Sequence, residues 1–318
     1  MPGTIVVAVG GNALCPPGES AEIATQFRHT RASLAPIVEL AQRDWRVAVV
    51  HGNGPQVGAA LERNELAAEH GVEALPLGVL VAATAGWIGY MIQQSLQNAF
   101  AARGIERHVV TLITQTICDP DDPALHHPSK PIGNALSEER AARLREQGTP
   151  VARDERGRWR RLAPSPEPRA VVEAELVRDL VASGHIVIAC GGGGPPVYHD
   201  PGRGWEGVEA VVDKDRVAAI LATGLGADTL LILTDVDAVY DRFGTAEQRP
   251  LREVSAREAR RLLAQPDFGV GSMAPKVAAA LEFVGRKGAG GRAVIAHLEQ
   301  GLDALAGKSG TTIHGADA

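Results

Sequence analysis

Residues 4–12 read Thr-Ile-Val-Val-Ala-Val-Gly-Gly-Asn, a β-branched apolar run that ends in paired glycines. A strand that shows no polar alternation is buried on both faces, as in a parallel sheet held between two helical layers. The pattern returns in Arg46–Val50, His108–Thr114, His185–Ala189, Thr229–Thr234 and Arg292–Ala296. Helical spacing fills the segments between them: Ile23–Gln42, Gln56–Glu69, Val79–Ala102, Ala170–Ala182, Asp215–Ala222 and Pro275–Arg286. This alternation predicts an α/β fold with a doubly wound, mainly parallel sheet. Ligands of such folds sit at the carboxyl ends of the strands.

The chain has 318 residues, of which 45% are hydrophobic and only 4% aromatic, so its core is built from Val, Leu, Ile and Ala. A net charge of −6 argues against a broad nucleic-acid surface. The three cysteines, Cys15, Cys118 and Cys190, form no C-x-x-C pair and support neither a disulfide framework nor a zinc site. The N-terminus runs straight into a strand and lacks the basic region of a signal peptide. Ala74–Ile92 carries no charge but holds Pro76, Gly78, Gly86 and Gly89, which reads as a buried helix and not a membrane span. A cytoplasmic protein is the expectation.

One stretch breaks the rhythm. Asp119–Pro168 opens with DPDDP, passes through HHPSKP and a charged helix at Ser137–Gln147, and closes with PSPEP. Its polarity and prolines predict an excursion from the main sheet, a protruding hairpin or lid with Lys130 in a rigid KPIG turn. A solvated insertion without a role is the other reading.

Glycines cluster where the strands end: Gly10-Gly11-Asn12 after the first, Gly52-Asn53-Gly54 after the second, and Gly191 to Gly194 after His185–Ala189. Without a Cβ, glycine lets backbone N–H groups approach an anion, and a following helix adds its positive end. Any one cluster alone reads as a tight turn, whereas three together predict a crevice for phosphate or another small oxyanion. Other phosphate motifs fail. GGNALC lacks the dinucleotide spacing, and Gly301 to Ser309 holds five residues between its glycines where a P-loop needs four, so it reads as a surface turn.

Lysine is scarce: Lys130, Lys214, Lys276, Lys287 and Lys308 are all there are. Lys214 lies in Val-Asp213-Lys-Asp215 at a helix start, and Lys276 follows Met273-Ala-Pro in another first turn. A cation there opposes the helix dipole, at a cost of up to about 1 kcal/mol, which favours an anionic ligand over stability. The alternative is that Lys214 merely pairs with Asp213 or Asp215 and Lys276 is solvated. On the first reading Asp213 holds Lys214 in position. At the end of the fifth strand Asp235 and Asp237 are candidate acceptors for ribose hydroxyls or neighbouring amides and Tyr240 a platform for a base, with simple turn formers as the other reading. No cluster has metal-ligand spacing, and His126-His127 reads as loop surface.

Assembled, these residues resemble the carbamate kinases of the amino acid kinase family. The matching stretches include VAVGGNAL (7–14), VVHGNGPQVG (49–58), SKPIG (129–133), ACGGGGPPV (189–197), AVVDKD (210–215), LLILTDVDAVY (230–240) and GSMAPKV (271–277). The resemblance implies one domain over 1–318, with an N-terminal half (1–184) on the carbamoyl phosphate side, a protruding subdomain (119–163) and a C-terminal nucleotide half (185–318). It implies that Gly10, Gly11, Asn12, Gly52, Asn53 and Gly54 hold the carbamoyl or phosphoryl end. Lys130 and Lys214 would contact the transferring group, Asp213 would orient Lys214, and Lys276 would bind nucleotide phosphate. Thr234, Asp235, Tyr240 and Met273 would lie by the nucleotide. The implied reaction is carbamoyl phosphate + ADP ⇌ carbamate + ATP, with Mg²⁺, in a homodimer serving arginine metabolism.

Two departures bear on the acceptor: Ala85 stands where the family usually has Gln, and Asn134-Ala135-Leu136 follows KPIG in place of Pro-Phe-Tyr. They leave open a related phosphotransferase for another small carboxylate or acid. Retention of Lys130, Lys214 and Lys276 counts against a catalytically silent nucleotide-binding paralogue.

Overall fold

The computed structural model describes residues 3–16, 19, 22–154, 156–265, 268, 273–288 and 290–315. The apolar runs form an eight-stranded sheet in the order Glu253–Ser255, Thr311–His314, Arg292–His297, Thr229–Thr234, Thr4–Val9, Arg46–His51, Ile186–Ala189, Val109–Thr111. Thr4–Val9 is central and parallel to both neighbours, with Val6 opposite Leu230 on one side and Ala48 on the other. Only one edge departs: Thr311–His314 runs antiparallel to Arg292–His297 and carries Glu253–Ser255 beside it.

Period-two alternation sorts the central strand between two cores. Val6 and Ala8 face the helices Ala174–Ala182, Lys214–Gly224, Ala256–Leu263 and Met273–Lys287. Ile5, Val7 and Val9 face Ala35–Gln42, Leu77–Arg103 and Gly301–Leu305. Each large aliphatic side chain so buried contributes about 1.5–3 kcal/mol, which is why the strands carry no polar face.

Several predicted elements change when packed. Ile23–Gln42 is two helices, Ile23–Ser33 and Ala35–Gln42, because Pro36 has no N–H to continue the first. Ala170 belongs to a strand, Pro168–Val171, and the helix starts only at Ala174. That strand pairs with Thr116–Cys118 in a four-stranded sheet completed by Pro196–Asp200 and Gly204–Gly207, none of which the periodicity reveals. From Leu77 onward the uncharged stretch lies in the 27-residue helix Leu77–Arg103, which ends at left-handed Gly104. Among the described residues no helix is long and apolar enough to cross a membrane. The supposed surface turn at 301–309 opens with a helix, Gly301–Leu305, in which Gly301 and Ala304 are buried.

The insertion is a small folded unit. Lys130–Leu136, Trp159–Ala163 and Val151–Arg153 make a three-stranded antiparallel sheet. The helix Glu138–Glu146 covers it, capped by Ser137, whose Oγ accepts from the Arg140 amide at 3.1 Å. The guanidinium groups of Arg145 and Arg153 lie over the Trp159 ring. Lys130 opens a strand and is not in a turn. The unit docks through Ile132 and Ala163, which pack on Val57, Leu80, Val81 and Val211 of the body.

Candidate functional site

Two glycine turns meet at the carboxyl ends of the central strands. The Gly52 amide donates to the Val9 carbonyl at 2.9 Å, and a Cβ on Gly52 would lie 2.7 Å from the Gly11 nitrogen. Only glycine admits this crossing. Gly54 then opens the helix Gly54–Ala68. The third cluster behaves differently from the anion-loop expectation. Gly192, Gly193 and Gly194 all have positive φ, and a Cβ on them would strike Asn53, the Val212 carbonyl and the Thr114 carbonyl. Among the residues of this run only Gly192 lines the cavity, so the run mainly lets one backbone pack on another.

The turns border a cavity of about 530 Å³ whose other walls carry the lysines. Lys130 reaches in from the subdomain and ion-pairs with Asp213. The other Asp213 oxygen caps the helix Lys214–Gly224, accepting from the Asp215 amide at 2.9 Å and the Arg216 amide at 3.3 Å. Burial would raise the Asp213 carboxyl, but Lys130, Lys214 and the capped amide hold it well below the usual carboxylate range.

Asp213 therefore does not hold Lys214, as the sequence reading has it. One of its oxygens is committed to the helix and the other to Lys130. Lys214 pairs instead with buried Asp215, whose second oxygen stands 3.6 Å from the Lys276 ammonium. Burial pulls the Lys276 pKa down, and Asp215 opposes that shift. Two aspartates thus distribute three ammonium groups around one cavity. Such point charges suit a phosphoryl group whose charge is spread over several oxygens.

Gly10, Gly11, Gly52, Asn53, Gly54, Lys130, Asp213, Lys214, Lys276, Thr234 and Asp235 all line this cavity. Asn12 lies between the lining residues Gly11 and Ala13, and its side chain falls outside the described residues. Tyr240 and Met273 are not in the lining: the Tyr240 hydroxyl donates to Asp237 at 2.8 Å, and half-buried Met273 packs against the core. Gly271 and Ser272 of the GSMAPKV motif lie outside the described residues.

The sequence reading missed three participants. His29 and Ser33, one turn apart on Ile23–Ser33, line the cavity, and Ser33 Oγ donates to the Ala13 carbonyl at 3.1 Å. Their four-residue spacing was the available signal. His51 is 1% exposed, with Nδ1 3.1 Å from the Gly52 carbonyl. Burial pushes its pKa down to about 4 despite bonds to the Gly52 and Ala85 backbone, so the ring is neutral at pH 7. A Cβ on Gly191 would lie 2.6 Å from its Nε2, so this imidazole fills the space between two glycine turns.

The sequence profile of the amino acid kinase family matches residues 3–297. A carbamate kinase of Pyrococcus horikoshii is 45% identical over 98% of this chain and 99% of its own length. One of Halobacterium salinarum is also 45% identical, over 98% of each chain. Among solved structures, a carbamate kinase from Giardia lamblia bound to citric acid superposes with a TM-score of 0.93 at 36% identity, covering 99% of both chains. A structure of a Giardia lamblia carbamate kinase bound to AMP-PNP gives a TM-score of 0.89 at 36% identity, again over 99% of both chains. With its central parallel sheet, its paired glycine turns and its full-length similarity to these enzymes, the chain belongs to the amino acid kinase family.

Proposed function

We propose that this chain is a carbamate kinase that moves a phosphoryl group reversibly between carbamoyl phosphate and ADP, giving carbamate and ATP. The observation that carries the reading is the convergence of Lys130, Lys214 and Lys276 on the cavity bordered by the Gly10-Gly11 and Gly52–Gly54 turns. In the ATP-forming direction a terminal oxygen of the ADP β-phosphate attacks phosphorus, and the bond from phosphorus to the carbamate oxygen breaks. Carbamate leaves as an anion, so no proton transfer is required. Alignment and charge neutralisation then account for the catalysis, and no activated Ser, Cys or His is needed.

In this reading Gly10, Gly11, Asn12, Gly52, Asn53 and Gly54 hold the carbamoyl end, and Lys130 and Lys214 meet the transferring group. Lys276 takes a nucleotide phosphate, and Thr234 and Asp235 border the nucleotide, with Tyr240 and Met273 beyond them. Mg²⁺ comes on the nucleotide's phosphates as part of that substrate. Asp213 and Asp215 keep the ammonium groups apart. We assign the protein to the cytoplasm and to a homodimer, with the exposed Leu66, Val79 and Tyr90 of the helices Gly54–Ala68 and Leu77–Arg103 available for the contact.

The test is ATP formation from ADP, Mg²⁺ and carbamoyl phosphate, with acetyl phosphate as the competing donor. Turnover with the carbamoyl donor well above that with acetyl phosphate is expected. Equal or greater turnover with acetyl phosphate would transfer the assignment to another acid, and inactivity with both would remove it.

A further inference from the structure

Lys130 is the one cavity lysine delivered by the subdomain, so its position depends on how that unit is held. Ile132 and Ala163 pack on the body, and Gly133 meets Gly58 of the helix Gly54–Ala68. Beside these contacts the attachment is ionic. Glu65, on the helix that starts at Gly54, accepts from Arg140 at 3.3 Å through Oε2 and from Arg161 through Oε1. Arg140 belongs to the subdomain helix and Arg161 to the strand Trp159–Ala163. The three side chains are 28%, 16% and 23% exposed respectively, far less than most other paired charges on this chain.

Register connects this clamp to the site. Arg161 stands opposite Ile132, and Ala163 stands opposite Lys130 on the same strand pair. The body helix bearing Glu65 begins at the glycine turn that borders the cavity. The clamp therefore ties the strand pair that carries Lys130 to the helix whose first residue belongs to the anion turn. A second cavity of about 190 Å³ lies beside the clamp, lined by Glu65, Arg140 and Arg161 together with Gly58, Glu62 and Asn134.

We infer that Glu65 is a positioning residue for the transfer: the two hydrogen bonds it accepts from Arg140 and Arg161 set the subdomain at the angle that brings Lys130 over the glycine turns. The inference rests on the carbamate kinase reading for its kinetic arm only. Without the carboxylate, two partly buried guanidinium groups of the subdomain lose the partner they share on the body, and the ionic tie between the two units is gone.

The experiment has two arms. Kinetically, Glu65→Gln should raise the KM for carbamoyl phosphate at least about tenfold and leave the KM for ADP within about twofold, since Lys276 is bound elsewhere. In a Lys130→Ala background the same substitution should add almost nothing, because its effect passes through that lysine. Structurally, nitroxides on Glu139→Cys and Ala102→Cys, both exposed, report the distance from subdomain to body; the native cysteines are buried. Glu65→Gln should broaden or lengthen that distance. An unchanged distance distribution, an equal rise in both KM values, or full additivity with Lys130→Ala would each overturn the inference. Were the wild-type chain to form no ATP, the function reading would fall and the distance measurement would still decide the clamp.

Discussion

Gly58 and Gly133 meet backbone to backbone: a Cβ built on Gly58 would lie 1.9 Å from the Gly133 Cα. The last glycine of VVHGNGPQVG and the glycine of KPIG are thus two halves of one joint, the place where the subdomain leaves the body. Gly133 also has a φ of 72°, which a side chain would strain. Gly58→Ala should force the strand Lys130–Leu136 away from the helix, at the usual overpacking cost of about 1–3 kcal/mol. The expected result is a lower melting temperature together with a raised KM for carbamoyl phosphate and an unchanged KM for ADP. Thermal melts and paired KM measurements check it.

Asp215 stands between Lys214 and Lys276, so its neutralisation leaves two ammonium groups close together in a buried space. Asp215→Asn keeps the shape and should lower kcat by about a hundredfold with the fold retained, as loss of electrostatic preorganisation does. Lys214→Ala should abolish transfer with little loss of nucleotide affinity. Steady-state kinetics beside calorimetric ADP binding would separate these effects; unchanged turnover in Lys214→Ala would reject its role.

Asp213 does two jobs that mutation can separate. Asn is as good an N-cap as Asp, so Asp213→Asn should keep the helix cap while releasing Lys130 and slowing turnover. Asp213→Ala should lose the cap as well, about 1 kcal/mol more. Urea unfolding of the two variants measures the difference. Equal stabilities would mean that the cap seen at Asp215 and Arg216 contributes nothing.

The buried, neutral His51 predicts an acid limb to stability. Its folded pKa, about 4, lies below the unfolded value of 6.5, so the unfolded chain binds more protons between these values. Stability from this group is complete above pH 6.5 and is lost as pH falls towards 4, by about 3 kcal/mol in all. Urea titrations at pH 7 and pH 4.5 should differ accordingly, and His51→Asn should flatten the difference. A wild-type curve insensitive to pH in this range would contradict the neutral assignment.

The sheet could be read from the chain because strands buried on both faces must be continuously apolar, and Thr4–Val9 and Thr229–Thr234 are. The Gly10-Gly11 and Gly52–Gly54 turns were legible for a related reason, since glycines stacked at strand ends mark places where side chains are intolerable. Scarcity exposed Lys130, Lys214 and Lys276. Partnership was not legible in the same way. Asp213 and Asp215 flank Lys214 symmetrically in sequence, and only the helix cap, by engaging one Asp213 oxygen, assigns Lys214 to Asp215. Glycines 192–194 look like an anion loop until the Asn53 side chain and the Val212 and Thr114 carbonyls are seen packed against them. Glu65 meets its arginines across 75 and 96 residues of chain, and no local period encodes a pairing at that range. Burial and backbone conformation are properties of a residue and its neighbours, so they leave a local trace. Which charge faces which depends on how distant segments pack, and that exists only in the folded molecule.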